Sequence, residues 1–153
     1  ATMRVFENLA ELKPLVGEEI AVSDWVTVTQ QRIDQFADAT GDHQWIHVDP
    51  QRAAAGPFGA TIAHGFLTLS MMPMFAENAI EFRNVRMSVN YGLNRVRFTS
   101  PVPVDSELRA RFRLVAVDDI ADNGVQVTTE VTIERKGSDR PVCVAESIAR
   151  RYA

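Results

Sequence analysis

The spacing of hydrophobic and polar positions changes period along the chain, and each change predicts a change of element. Glu7 to Leu15 predicts a short helix stopped at Gly17, and Glu19 to Val28 alternates as a first strand with Ile20, Val22, Val26 and Val28 inward. Thr29 to Thr40 takes helical spacing: Ile33, Phe36, Ala37 and Thr40 share one face, and Gly41 follows as a C-terminal stop. Pro50 to Ala55 predicts one helical turn, and Gly56, Pro57 and Gly59 mark irregular backbone. From His64 to Ile80 the residues are apolar nearly all round, which predicts a long helix buried on most sides and kinked at Pro73.

Beyond Asn84 the period falls to two. Val85 to Phe98, Glu107 to Asp118, Val125 to Lys136 and Val142 to Tyr152 predict four strands. Leu108, Ala110, Phe112 and Leu114 alternate with Arg109, Arg111 and Arg113, Ala116 keeps the spacing, and Val125, Val127, Thr129, Val131 and Ile133 alternate cleanly. The turns Asp122-Asn123-Gly124 and Lys136 to Asp139 are short, so the strands should form an antiparallel meander with one face buried and one wet. One long buried helix beside a long antiparallel sheet predicts an α+β domain in which the sheet wraps around the helix.

Composition narrows the function. At 153 residues the chain fits a single domain that needs no staple, and 46% hydrophobic against 24% charged residues excludes global disorder. No apolar run approaches the roughly 20 residues of a membrane span, and the opening ATMRVFENLAEL lacks the pattern of a signal peptide. The expectation is a cytoplasmic protein with no membrane partner. A net charge of −4 argues against nucleic acid as a partner. The single Cys143 has no disulfide partner in the chain and reads as a core thiol.

The chemistry concentrates between Phe36 and Ala53, FADATGDHQWIHVDPQRA. Asp42 and His47 are five positions apart, roughly 140° around a continuous helix, so they can meet only where the backbone leaves the helix. Gly41 supplies that break, and Asp42 to His47 is expected to be a loop. The plainer role for Asp42 is an Asx-turn or a cap, and His43 reads as exposed or packing. His43 to His47, HQWIH, resembles the zinc motif H-E-x-x-H but carries Gln44 where the general-base glutamate must stand, so no metal is expected. His64 and Gly65 precede the buried helix, whose first N–H groups are unsatisfied donors able to hold an oxyanion; the alternative for Gly65 is close packing against a strand. Arg95, Arg97, Arg109, Arg111 and Arg113 alternate along two strands and read as a solvated face before a phosphate-binding surface. No G-x-S-x-G elbow, P-loop or G-x-G-x-x-G occurs.

Together with TIAHGFLTLS and YGLNRVRFTSPVPVDSEL, this segment resembles the MaoC-like dehydratases, the (R)-specific enoyl-CoA hydratase group with a hotdog fold. The match runs from about Glu19 to the C-terminus and departs at Gln44 and Trp45, where the family usually has Asn-Pro. The resemblance implies that Asp42 and His47 hold and activate one water, which adds across the C2=C3 bond of a trans-2-enoyl thioester to give an (R)-3-hydroxyacyl product. It also implies that Gly65 N–H, at the His64-Gly65 helix start, receives the enolate oxygen. The acyl chain would lie along the buried helix, Arg95 or Arg97 would meet the coenzyme A phosphates, and the chain would form a homodimer or dimer of dimers. No cofactor is implied, coenzyme A being part of the substrate. A hotdog thioesterase and a non-catalytic acyl-CoA-binding relative of the nodulation type are the competing readings.

Overall fold

The computed structural model describes residues 2–153. In chain order the elements are β1 (Arg4–Phe6), a 3-10 helix (Leu9–Leu15), β2 (Glu19–Val22), β3 (Val26–Thr27), α1 (Gln30–Thr40), α2 (Trp45–Val48) and α3 (Pro50–Ala54). They continue with α4 (Gly65–Ser70), α5 (Met72–Ala79), β4 (Ile80–Phe82), β5 (Met87–Arg97), β6 (Glu107–Ile120), β7 (Gly124–Arg135) and β8 (Pro141–Tyr152).

α1 forms where its pattern predicts it. Thr29 Oγ1 accepts the Arg32 N–H at 3.2 Å, Ile33 and Ala37 are buried, and Gly41 ends the helix at φ 85° with its N–H on the Ala37 carbonyl. That left-handed conformation suits glycine, so the chain turns immediately before Asp42. The N-terminal helix takes 3-10 form instead of α; Pro14 lies inside it and has no N–H to give.

The sheet has six strands in the order β2-β6-β7-β8-β5, with β3 also on β6. Its meander holds for β6, β7 and β8, where Phe112 sits opposite Val131 and Val131 opposite Ala145, all three buried. The reverse face carries Arg109 and Arg111 on Glu134, and Arg113 on Glu130. These three arginines are a paired, solvated face, as expected. β5 departs from the expected meander. It pairs with β8 at the far edge, and the chain crosses from Phe98 to Ser106 to reach β6. As an edge strand it has no buried face: Met87, Val89, Tyr91 and Leu93 are all exposed.

Two further expectations need correction. The strand from Glu19 to Val28 is broken into β2 and β3, and the inward set becomes Ile20, Ser23 and Val28. A register shift between Glu19 and Ala21 changes the phase, and buried Ser23 holds the Ala110 N–H at 2.9 Å across the gap. The helix from His64 to Ile80 is two helices joined at Met71, and Ile80 already belongs to β4. Pro73 in the first turn of α5 withholds a donor there, but the turn is bridged, since Phe75 N–H reaches the Met71 carbonyl at 3.1 Å. Phe75 and Leu67 are buried against the sheet, while Phe66, Pro73 and Glu77 are exposed, so burial is one-sided. Burying Phe75, Leu12, Ile33, Leu108, Leu114 and Ile133 together contributes about 1.5–3 kcal/mol per side chain. β1 pairs in parallel with β4, stacking Phe6 on Phe82.

Candidate active site

His47 is on α2, a four-residue helical turn, and not in an open loop as its sequence suggests. Its N–H bonds to the Gln44 carbonyl at 3.0 Å. Gln30 on α1 clamps the turn: its Nε2 donates to the His47 carbonyl at 2.8 Å, and its Oε1 accepts from Thr61 Oγ1 at 2.6 Å. The ring is buried, and Nδ1 lies 2.7 Å from the Ile62 carbonyl. A carbonyl only accepts, so Nδ1 carries the proton and Nε2 presents a lone pair. Burial pulls the imidazole below its ordinary value and a charge on His64 pushes the same way, while the Ile62 hydrogen bond and the Asp42 charge oppose them. A neutral base near neutral pH is the result.

Asp42 is exposed at the mouth of this site. Its Oδ1 accepts from Gln44 N–H at 3.4 Å, a long Asx-turn contact, so Asp42 does take the local role its position suggests. The Asp42 carbonyl accepts from His64 Nε2 at 3.0 Å. His64 is buried, stacked on His47 with ring centroids 3.9 Å apart and 24° between planes, and packed against Phe36 at 4.9 Å. Its ring therefore lies between the Asp42 main chain and the His47 ring. One ligand atom from each of Asp42, His47 and His64 lies within 4.8 Å of the others. With the two ring planes nearly parallel, the in-plane lone pairs of both imidazoles do not converge on one nearby point, a poor geometry for chelating one ion. His43 is exposed and bonded to Asp38 at 2.9 Å, which raises its pKa, so the two histidines of HQWIH do not converge.

Gly65 opens α4, where its N–H has no intrahelical acceptor. Phe98 covers it: a Cβ at Gly65 would meet the Phe98 ring at 2.7 Å. A cavity of about 320 Å³ lies here, lined by Phe58, Ala63, Gly65, Thr68, Phe98 and Val142. A second, of about 960 Å³, runs farther along the helices beside Leu69, Met72, Ala76, Val89, Leu93 and Val127. Close packing of Gly65 and an N–H without an intrahelical acceptor thus occur together. Arg95 and Arg97 are exposed at the end of β5, next in the chain to Phe98; neither pairs with a carboxylate among the described residues, and Arg97 Nη1 donates to the Val96 carbonyl. Trp45 packs on Gly56, where a Cβ would lie 3.0 Å from its ring, and under Arg52 at 4.4 Å.

Sequence reasoning missed Gln30, Thr61 and the Ile62 carbonyl. The first two look like ordinary polar residues in the sequence, and the third is a backbone atom with no signature. Phe98 ended a predicted strand, and only the crossing after β5 shows what it covers.

The domain joins a hotdog fold to a buried imidazole, a neighbouring carboxylate and a helix-start amide packed against Phe98. Residues 11–136 match the profile of the MaoC like domain. The chain is 55% identical over 151 residues to 3-hydroxyacyl-thioester dehydratase Z of Mycobacterium tuberculosis, covering 99% of this chain and all of that one. It is 46% identical to Nodulation protein N of Rhizobium leguminosarum bv. viciae, over 92% and 89% of the two chains. Its fold matches a monoamine oxidase regulatory protein from Archaeoglobus fulgius (TM-score 0.78, 25% identity, 100% and 99% covered). It also matches the R-hydratase PhaJ1 of Pseudomonas aeruginosa (TM-score 0.71, 22% identity, 94% and 84% covered). The chain belongs to the MaoC-like dehydratase family.

Proposed function

We propose that the protein is an (R)-specific hydratase of trans-2-enoyl-CoA thioesters, acting reversibly on the (R)-3-hydroxyacyl product. The observation that carries this reading is the Nδ1 contact of His47 with the Ile62 carbonyl, which leaves Nε2 as a base beside the Asp42 carboxylate. Water held between Asp42 and His47 gives a proton to the dyad as its oxygen bonds to C3. The C2=C3 electrons move toward the thioester, whose oxygen takes the developing charge and accepts from Gly65 N–H. Collapse of the enolate takes the proton back at C2, so one water is added and the dyad ends as it began. The acyl chain follows α4 and α5, and Arg95 and Arg97 meet the coenzyme A phosphates. No cofactor takes part in this scheme, and coenzyme A enters with the substrate.

The relative named as a 3-hydroxyacyl-thioester dehydratase supports the thioester and the reaction class. Among the described residues no helix is long and apolar enough to cross a membrane, which suits a cytoplasmic acyl-CoA enzyme. The reading includes a homodimer, supported by the edge position of β5 and its exposed Met87, Val89, Tyr91 and Leu93; light scattering reads the mass directly.

The test is loss of the conjugated enoyl-thioester absorbance with crotonyl-CoA and longer enoyl-CoAs, followed by chiral analysis of the product. Asp42→Asn and His47→Gln should each lower kcat by about 10²–10⁴. Folded variants that retain wild-type rates end the dyad proposal. Free coenzyme A released without hydration favours a thioesterase, and binding without turnover favours a non-catalytic relative.

A further inference from the structure

His64, buried at the start of α4, is held by contacts with three residues of the site. Its Nε2–H donates to the Asp42 carbonyl at 3.0 Å, its face stacks on His47 at 3.9 Å, and Phe36 closes the far side. The hydrogen bond fixes the neutral tautomer: Nε2 holds the proton, and Nδ1 carries a lone pair that is buried with no partner. An orphaned acceptor inside a fold is destabilising and calls for an explanation. Packing alone would be served by phenylalanine, without the orphan. The hydrogen bond alone would be served by glutamine, without the ring. Imidazole is the side chain that supplies both, and the orphan remains as a consequence.

We propose that His64 is a positioning residue for proton transfer, tying the Asp42 main chain to the His47 ring so that the acid and the base keep one register. Asp42 leaves α1 through Gly41 and its side chain makes a single long contact with Gln44 among the described residues, whereas His47 is fixed by Gln30 and Ile62. Without His64 the Asp42 main chain loses its hydrogen bond to the buried ring that stacks on His47. The ionisable groups whose charge acts on His47 are Asp42 and His64; Asp38, on α1, is engaged by His43. The role rests on the hydratase reading for its effect on rate, but its geometry is testable without turnover.

The chain has three histidines, few enough to assign each imidazole by long-range ¹H–¹⁵N NMR. In the wild-type protein neutral His47 should carry its proton on Nδ1 and neutral His64 on Nε2; the same tautomer on both overturns the proposal. Two variants then separate the functions. His64→Phe keeps an aromatic face on His47 and removes the donor; it should lower kcat about a hundredfold with KM changed less than about twofold. His64→Gln keeps a donor for Asp42 and should recover about tenfold of that loss. In both, the His47 titration and the acid limb of kcat/KM should move upward together. Wild-type kcat in His64→Phe overturns the proposal. So does a loss of rate that follows a fall in Tm while the His47 titration stays in place, since that is the behaviour of a packing residue. If the wild-type protein hydrates no enoyl thioester, the hydratase reading fails on its own, and the tautomer and titration measurements still decide the tie.

Discussion

Replacing Gly65 with alanine separates the amide's chemistry from the packing around it. A Cβ at this position would stand 2.7 Å from Phe98 Cδ2 and 2.9 Å from Cε2 and Cγ. Ordinary carbon contacts lie at about 3.5–4.0 Å, so the ring must retreat by roughly 0.8 Å. It has room to do so, being 46% exposed and held by an edge contact with Phe66 at 5.9 Å. Gly65 has no positive φ, so alanine meets no backbone strain, and its better helix propensity, at most about 1 kcal/mol, offsets part of the cost of moving Phe98. The expected change in stability is within about 1 kcal/mol. Activity should respond differently, because the displaced ring and the new methyl stand over the N–H that we propose receives the enolate oxygen. Loss of one such donor corresponds to about 10²–10³ in kcat, or about 2.7–4 kcal/mol. The assay is hydration of crotonyl-CoA beside urea unfolding, with Gly65→Ala, Phe98→Ala and the double variant measured together. Recovery of the double variant to the Phe98→Ala rate assigns the loss to the ring. Persistence of the loss assigns it to the shielded amide. A Gly65→Ala protein with wild-type kcat/KM would refute the placement of the oxyanion at this helix start.

Other outcomes follow from the same geometry. Gln30→Ala leaves the buried Thr61 hydroxyl and the His47 carbonyl without their partner; it should cost about 1–3 kcal/mol in urea unfolding and slow turnover, and an unchanged midpoint would contradict the clamp. His47 titrates below its ordinary value in the folded protein, chiefly through burial. The unfolded chain therefore binds more protons between that lowered value and about 6.5. Its contribution to stability is present above about 6.5 and is lost as pH falls through the folded value. Unfolding midpoints at about pH 7.5 and 5.5 should show a smaller difference in His47→Gln than in the wild type. Cys143 is buried and its thiol is pushed up to about 11 by desolvation, so it should resist thiol reagents at about pH 8 until denaturant is added. Rapid labelling of the native protein would show that the strand opens there.

Much of this architecture could be read from residue spacing. α1 and its stop were visible because Ile33, Phe36 and Ala37 repeat on one face and Gly41 takes a conformation that suits glycine. The β6 to β8 meander was visible because short turns force neighbours to pair. β5 was not, because alternation says which face a residue takes and nothing about which strand lies beside it; its place on β8 depends on the crossing from Phe98 to Ser106. The break between β2 and β3 was hidden by Val22 and Val26, whose alternation looks continuous although buried Ser23 interrupts it. In the site, Asp42 and His47 stood out as chemistry-bearing residues at a restrictive spacing. The position of His64 against them did not, since twenty-two positions and an irregular segment separate it from Asp42.

The orienting partner of His47 is a main-chain oxygen. Ile62 can change its side chain and the carbonyl remains, so the tautomer of the base is insulated from point substitution at the residue that sets it. Its vulnerability is conformational. Ala63 N–H on the Val102 carbonyl and Val104 N–H on the Thr61 carbonyl pin this segment to the crossing after β5. Insertions or deletions between Phe98 and Ser106 would therefore rotate the imidazole without touching any catalytic side chain, and would be tolerated far less than the sequence of that stretch suggests.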